Sequence, residues 1–475
     1  MRMLRMTLPS FALMALASCA SMTPPALTLP ETWRSTALVS EQTPVEELTS
    51  QWWERFNSPE LNRLITQAFD RNHDLKGALA RVLQTEANAR STSAGFFPSI
   101  SAGVSGSRTE RQQPNGPDVA SRGYQGTLQA AYQVDLFGQI RNAAASANRR
   151  LESSLYDRET VAITLVSSVI TSYLQVLSAR ERLQLTTERL KNAEEILRLL
   201  ETQRRVGVLS DLELAQQRSA LASQRAALPG LRLAERQSLN GLAVLLGQNP
   251  EGFDIQGRAL TELSLPVIAS GIPSTLLMRR PDLRSAESGL RAANFDVAGA
   301  RAARFPSIQL TASGGSSSGA LADLFATGTF FYTLGASASE TIFAGGRLLA
   351  QEQGARARYL ELSEDYQQSV IAAFRDVENA LEAVSQNGQQ YDLAREASTQ
   401  ADLAYRLAQL RYRTGSADFQ TVLNAQNSAF SAQESVVQGE LSRFSAVVSL
   451  TLALGGGWDG ATPDKPSMDA VYQPL

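Results

Sequence analysis

The stretch QIRNAAASANRRLESSLYDRETVAITLVSSVITSYLQVLSARERLQLTTERLKNAEEILRLLETQRRV, residues 139–206, contains neither glycine nor proline. As one unbroken helix, at ~1.5 Å rise per residue, it would run for roughly 100 Å. Its apolar residues recur at alternating steps of three and four: Ile163, Val166, Ile170, Tyr173 and Leu177, then Leu190, Ala193, Leu197 and Leu200. That is the narrow seam of a coiled coil, not a broad core-facing stripe. Arg180, Glu181, Arg182, Glu188, Arg189, Glu194 and Glu195 interrupt it, and charges at that density keep such a helix out of lipid. A second stretch, residues 347–414, has no proline and only Gly354 and Gly388 as weak points. Two such helices in one chain need an architecture built to hold them.

Outward from the two helices, the turns that follow them match. Gly207 after Arg205-Val206 and Gly415 after Arg413-Thr414 stand where a helix C-cap wants a residue tolerant of positive φ. Ser210 and Asp418 are suited to cap the returning helices, predicted over 211–246 and 419–454, and Ser210 with Glu213 reads as a capping box. The returning helices cover about half of their partners, so segments 59–95 and 273–304 are expected to cover the rest. The spacing between the turns, 415 − 207 = 208, recurs elsewhere. Phe97-Pro98-Ser99-Ile100 returns as Phe305-Pro306-Ser307-Ile308, and Leu246-Gly247 as Leu454-Gly455. Asp135-Leu136-Phe137-Gly138-Gln139-Ile140-Arg141 has a looser echo in Glu340-Thr341-Ile342-Phe343-Ala344-Gly345-Gly346-Arg347. The chain is a tandem repeat of helix, strand, strand, long helix and helix.

Between the helices the hydrophobic period drops to two. Ile100, Ala102 and Val104 alternate with Ser99, Ser101, Gly103 and Ser105; Tyr124, Leu128, Tyr132 and Val134 alternate with Gln125, Gln129, Gln133 and Asp135. Strands are expected near 97–107 and 123–136, joined by a polar loop over 108–122, and again near 306–313 and 330–341. One apolar and one polar face, over the ~9–11 residues a membrane strand needs, reads as a transmembrane hairpin. The alternative is an antiparallel hairpin on a soluble domain. Four membrane strands cannot close a barrel, and an open edge leaves backbone groups unsatisfied in hydrocarbon. The barrel is therefore shared: two copies give eight strands, three twelve and four sixteen. Strands in lipid, continued by long aqueous helices, describe a conduit.

The N-terminus supplies an address. Arg2 and Arg5 precede a short apolar run, 11–17, and Leu16-Ala17-Ser18-Cys19 follows. This is an export signal too short to span a bilayer. It resembles the bacterial lipobox, whose cleavage would leave Cys19 as the lipid-bearing first residue, with Ala20 after it favouring the outer membrane. The alternative is a plain secretory signal with a chance cysteine. The expected domains are a signal peptide at 1–18, a lipidated tether at 19–57, repeats at 58–247 and 273–455, a linker at 248–272 and a flexible tail at 456–475. Ser58 before Pro59 and Glu60 marks the first helix start.

Together with the lipobox, Trp52-Trp53-Glu54-Arg55-Phe56, Phe97-Pro98-Ser99-Ile100, Asp135-Leu136-Phe137-Gly138, Arg279-Arg280-Pro281-Asp282-Leu283 and Arg411-Tyr412-Arg413-Thr414-Gly415 resemble the TolC-like outer-membrane factors, nearest the OprM/NodT subgroup of efflux lipoproteins. The resemblance covers about 50 to 457. It implies a homotrimer with a twelve-stranded transmembrane β-barrel continued by a periplasmic α-helical barrel, in the outer membrane. It implies a periplasmic membrane-fusion adaptor and an inner-membrane RND-type transporter as partners, with drugs or other toxic compounds as cargo. A duct for type I protein or oligosaccharide secretion, or for metal-ion efflux, would share the fold. Mapped by motif, the periplasmic gate is Tyr412, Arg413, Gln420, Asn424 and Asn427. Relatives often carry an apolar residue, an acid and a base where this chain has Gln420, Asn424 and Asn427, so neutral amide hydrogen bonds are expected in place of a charged ring, against the simpler reading that these residues are a solvated coiled-coil face. The turns bearing Arg205, Gly207, Ser210, Gly415 and Asp418 are expected to meet the adaptor, against the simpler reading that they only cap helices.

Composition speaks against other classes. Net charge is −3, with no polybasic surface for nucleic acid. One Cys and one His leave no intrachain disulfide and no ordinary zinc site. No cofactor is expected beyond the lipid on Cys19. Gly315-Ser316-Ser317-Ser318-Gly319 fits a nucleophile-elbow spacing but sits in a Ser/Gly-rich loop between strands, and His73, the only histidine, reads as a helix-surface residue. The chain is not expected to be an enzyme. A coiled-coil lipoprotein bracing the envelope would lack the alternating strands.

Overall fold

The computed structural model describes residues 32–34, 50–113, 116–207, 210–268 and 273–465. The signal peptide, Cys19, most of the tether, part of the linker and the end of the tail lie outside them. The first half contains α1 (Pro59–Arg71), α2 (His73–Ser93), β1 (Ser99–Gln113), β2 (Gly116–Val134), α3 (Gln139–Arg205) and α4 (Asp211–Leu245). The second contains α5 (Leu276–Arg279), α6 (Pro281–Ala302), β3 (Ser307–Ser318), β4 (Phe330–Ser339), α7 (Arg347–Arg413) and α8 (Phe419–Ala453). Both long helices have 67 residues and both returning helices 35.

The helix expected over 59–95 breaks once. Ser58 caps α1 by accepting the Leu61 N–H, but Asn72 ends it and begins α2, its carboxamide oxygen accepting the Leu75 N–H at 2.9 Å. In the second half Pro281 makes the equivalent break, holding Arg280 in extended backbone before α6. The breaks serve the same contact. Asn72 Nδ2 donates to the Leu245 carbonyl at 2.9 Å, and Arg280 Nη1 to the Ala453 carbonyl at 3.3 Å.

Two compact units emerge. One, built from Val82–Ser154 and Ala286–Gln367, holds the four strands as a single antiparallel sheet in the order β1-β2-β3-β4. The segment expected as a loop over 108–122 instead extends the hairpin. Arg108 pairs with Arg122 and Arg111 with Val119, because backbone hydrogen bonding continues past the point where the apolar pattern stops. Asp135 fixes the step from β2 into α3, its carboxylate accepting the Ile140 and Arg141 N–H groups at 3.0 and 2.8 Å. Leu290, Ala293 and Val297 of α6 pack on Tyr359 of α7, as expected for a segment covering the long helix.

The other unit, built from Thr28–Arg81, Leu155–Ser285 and Gln368–Leu475, contains the largest core. Leu61, Leu64 and Ile65 of α1, Val169, Ile170 and Leu174 of α3, Leu242 of α4 and Phe444 of α8 meet there. By length and composition α3 could cross a membrane, yet its apolar residues between Leu165 and Leu177 are this core. Two expectations are corrected, for the tether and the tail, and the linker, expected only to join the repeats, gains partners. The tether is fastened: Trp33 packs at a tilt against Phe374, and Trp52 and Phe56 are fully buried in the core. The linker is pinned, because Glu60 accepts the Gln256 and Gly257 N–H groups at 2.7 and 2.9 Å while Arg180 donates to the Ile255 and Gly257 carbonyls at 2.7 Å. The tail begins with Trp458 buried edge-on against Tyr156.

Candidate functional site

The sheet has two chemically distinct faces. The register puts Ile100, Val104, Leu128 and Leu310 on one side with Phe330, Tyr332 and Leu334, all exposed large apolar side chains. On the other side Ser101 pairs with Gln129, Gln129 with Ser313, and Gln133 with Gln309. The apolar face of β2 lasts from Tyr124 to Val134, and Phe137 stacks on Phe305 at 4.9 Å just beyond it. An apolar band bounded by aromatics matches the height of hydrocarbon. Among the described residues, β1 and β4 each have one edge without a partner strand. Gly315-Ser316-Ser317-Ser318-Gly319 is mostly strand β3 and no strand-to-helix elbow. A Cβ on Gly315 would collide with the Gly126 carbonyl, so that glycine serves close pairing with β2.

The second part of the site is the pair of helical turns. Gly415 has φ +73°, with its N–H on the Tyr412 carbonyl and the Ser416 N–H on that of Arg411 at 2.8 Å, a Schellman cap. Asp418 accepts the Thr421 N–H at 2.8 Å, and the Thr421 hydroxyl, with that N–H second, holds its carboxyl below the usual range. Gly207 has φ +80°; Ser210 gives its N–H to Glu213 at 3.1 Å. Arg204 grips Asp211 through two hydrogen bonds of 2.6 and 3.0 Å. Arg205 is exposed.

The tips of four helices share one cluster: Leu200 of α3, Leu214 of α4, Ala408 of α7 and Phe419 of α8. Of the expected gate residues, Tyr412 belongs here. Its ring meets Phe419 edge-on at 5.7 Å, and its hydroxyl reaches Gln203 Oε1 of the other repeat at 3.5 Å. Burial raises its pKa. Arg413, Gln420, Asn424 and Asn427 are exposed instead. Gln420 Nε2 donates to Asn424 Oδ1 at 2.9 Å, and Asn427 continues that face one turn on. Sequence reasoning missed Phe419 and Gln203, although an aromatic directly after the Asp418 cap was a usable signal. Higher up, Arg189 lies 4.7 Å over the Phe430 ring and donates to its carbonyl, and Arg182 donates to Glu434 at 3.0 Å. His73 is the exposed first residue of α2. Among the described residues no group of three or more His, Cys, Asp or Glu could hold a metal ion.

The sequence profile of the family described as outer membrane efflux protein matches residues 64–248 and again 272–456. The pyoverdine export outer membrane protein OpmQ of Pseudomonas putida is 37% identical, over 95% of this chain and 97% of its own. The toluene efflux pump outer membrane protein TtgI of Pseudomonas putida is 33% identical, over 95% and 98%. The solved outer-membrane channel OprN superposes with a TM-score of 0.84 at 29% identity, over 93% of this chain and all of its own.

Proposed function

The chain belongs to the outer membrane efflux protein family and is an outer-membrane efflux channel, and on that premise we propose that three copies build one gated duct for small organic molecules. The family and fold are those of channels, not of enzymes. The carrying observation is that, among the described residues, the edges of β1 and β4 are unpaired on a sheet with one apolar face. Backbone groups at such edges find no partners in hydrocarbon, so neighbouring copies supply them. Three four-stranded sheets make a barrel wide enough for an aqueous lumen. The names of the relatives, which cite pyoverdine export and toluene efflux, support small organic cargo.

In this reading the resting gate is held by neutral groups. Gln420, Asn424 and Asn427 line one face of α8, and each amide hydrogen bond contributes on the order of 1 kcal/mol. Opening parts the helices around Tyr412, Arg413 and Asn424. The turns carrying Arg205, Gly207, Ser210, Gly415 and Asp418 meet a periplasmic adaptor that couples the duct to an RND-type inner-membrane transporter. Cys19 carries the lipid. The test is native mass measurement in detergent, with single-channel recording of the Gln420→Ala/Asn424→Ala double variant. A mass of three chains and a conductance severalfold above wild type are expected. A closed assembly of another stoichiometry, or unchanged conductance, overturns the corresponding half of the proposal.

A further inference from the structure

The connection between β3 and β4 behaves unlike an ordinary loop. Its Leu324 is 4% exposed, the only buried side chain described from β3 through β4 and likewise unmatched along β1 and β2. Its position identifies what it covers. A Cβ on Gly126 would lie 4.0 Å from Leu324 Cδ2. Side chains alternate along a strand, so that direction is the one shared by Tyr124, Leu128 and Ala130, the apolar face. The turn is tied down by Thr329, whose hydroxyl donates to the Leu324 and Ala326 carbonyls at 3.0 and 2.8 Å. On either side of Leu324 the connection presents Leu321 at 62% exposure and Phe325 at 86%. A groove of about 840 Å³ runs beneath Phe325 along Val104, Leu128, Gly314 and Phe330.

The geometry points to a lipid anchor: the β3–β4 connection folds outward over the hydrocarbon-facing side of the barrel, sets Leu321 and Phe325 at the headgroup boundary and seats a lipid acyl chain in the groove. This rests on the reading that the strands cross the outer membrane. The groove is continuous with the apolar face, its exposed lining is mostly apolar with Thr127, Ser313 and Ser316 as the hydroxyl-bearing exceptions, and aromatic side chains favour the height where chain meets headgroup.

The test places one tryptophan at a time, Phe325→Trp, Leu321→Trp and Leu128→Trp, in the full-length channel reconstituted in phosphatidylcholine vesicles. The native Trp33, Trp52, Trp53 and Trp458 are buried in the helical unit and serve as background. With brominated acyl chains, the added emission is expected to fall at least twofold in all three variants. Leu128→Trp quenched by bromine but Phe325→Trp and Leu321→Trp quenched only by aqueous iodide would place the loop in water and overturn the anchor while the strand reading stands. Loop tryptophans shielded from both quenchers would mean that protein covers them, which also overturns it. Leu128→Trp untouched by bromine would sink the membrane assignment of the strands themselves.

Discussion

Two glycine pairs at the same repeat spacing are needed for different reasons. Gly207 and Gly415 have positive φ but open space where a Cβ would go. A Cβ on Gly247 would fall 2.5 Å from the Arg71 carbonyl oxygen, and one on Gly455 closer still to that of Arg279. Gly415→Ala should therefore cost only the left-handed strain, about 1–2 kcal/mol, whereas Gly455→Ala must also displace backbone. Thermal unfolding of the two variants in detergent should show a clearly larger loss at 455; equal losses would refute the close-approach argument. Glu181 supplies a second residue-scale prediction. Burial raises its pKa above the ordinary value, the Leu260 N–H partly offsets this, and nearby Glu262 adds to it. An acid with a raised folded pKa costs stability when ionised, a cost absent at low pH that grows as pH rises through the folded pKa. Glu181→Gln keeps an acceptor for Leu260 and should raise the melting temperature at neutral pH, with the gain shrinking toward the ordinary carboxylate range.

Among the elements, α3 leaves the main core after Leu177 and is held beyond it by specific ties as well as apolar contacts. Arg189 joins α3 to α8 by lying over Phe430 and donating to its carbonyl and to Gln433 Oε1 at 2.8 and 3.1 Å. Burial lowers its pKa, although an arginine keeps its charge throughout the accessible range. Lysine preserves that charge but loses the planar stack and the fork of donors. Arg189→Lys should destabilise the α3–α8 pairing by about 1–2 kcal/mol, seen as faster amide exchange around Phe430 with little change near the strands. Exchange as slow as wild type would mean that charge alone makes the tie.

For the molecule as a whole, adjacent residues on β2 carry opposite assignments. Leu128 faces the apolar side and Gln129 pairs across the polar side. A lysine on a lipid-facing strand costs about 2–4 kcal/mol at mid-depth, while one facing a lumen is tolerated and alters selectivity. Leu128→Lys should sharply reduce assembled channel in the outer membrane, and Gln129→Lys should assemble normally and shift reversal potential toward anions. The reverse pattern would turn the barrel inside out.

Much of this was written along the chain. The proline-free stretches, the 208-residue spacing, the glycine caps and the switch from a 3.6- to a 2-residue period are local patterns, and local backbone preference is enough to make them visible. The same reading misjudged 52–56, 108–122 and 456–458 and assigned no partners to the linker at 248–268, segments without periodicity whose order comes from distant partners: Phe444 beneath Phe56, one strand extending another, Glu60 and Arg180 on the linker, Tyr156 against Trp458. Tertiary structure alone decided which expected gate residues pack inward and which stay exposed, because Tyr412 turns toward Phe419 only once four helix tips converge. It also decided where Leu324 lies, since a single leucine in a loop has no side until a sheet gives it one.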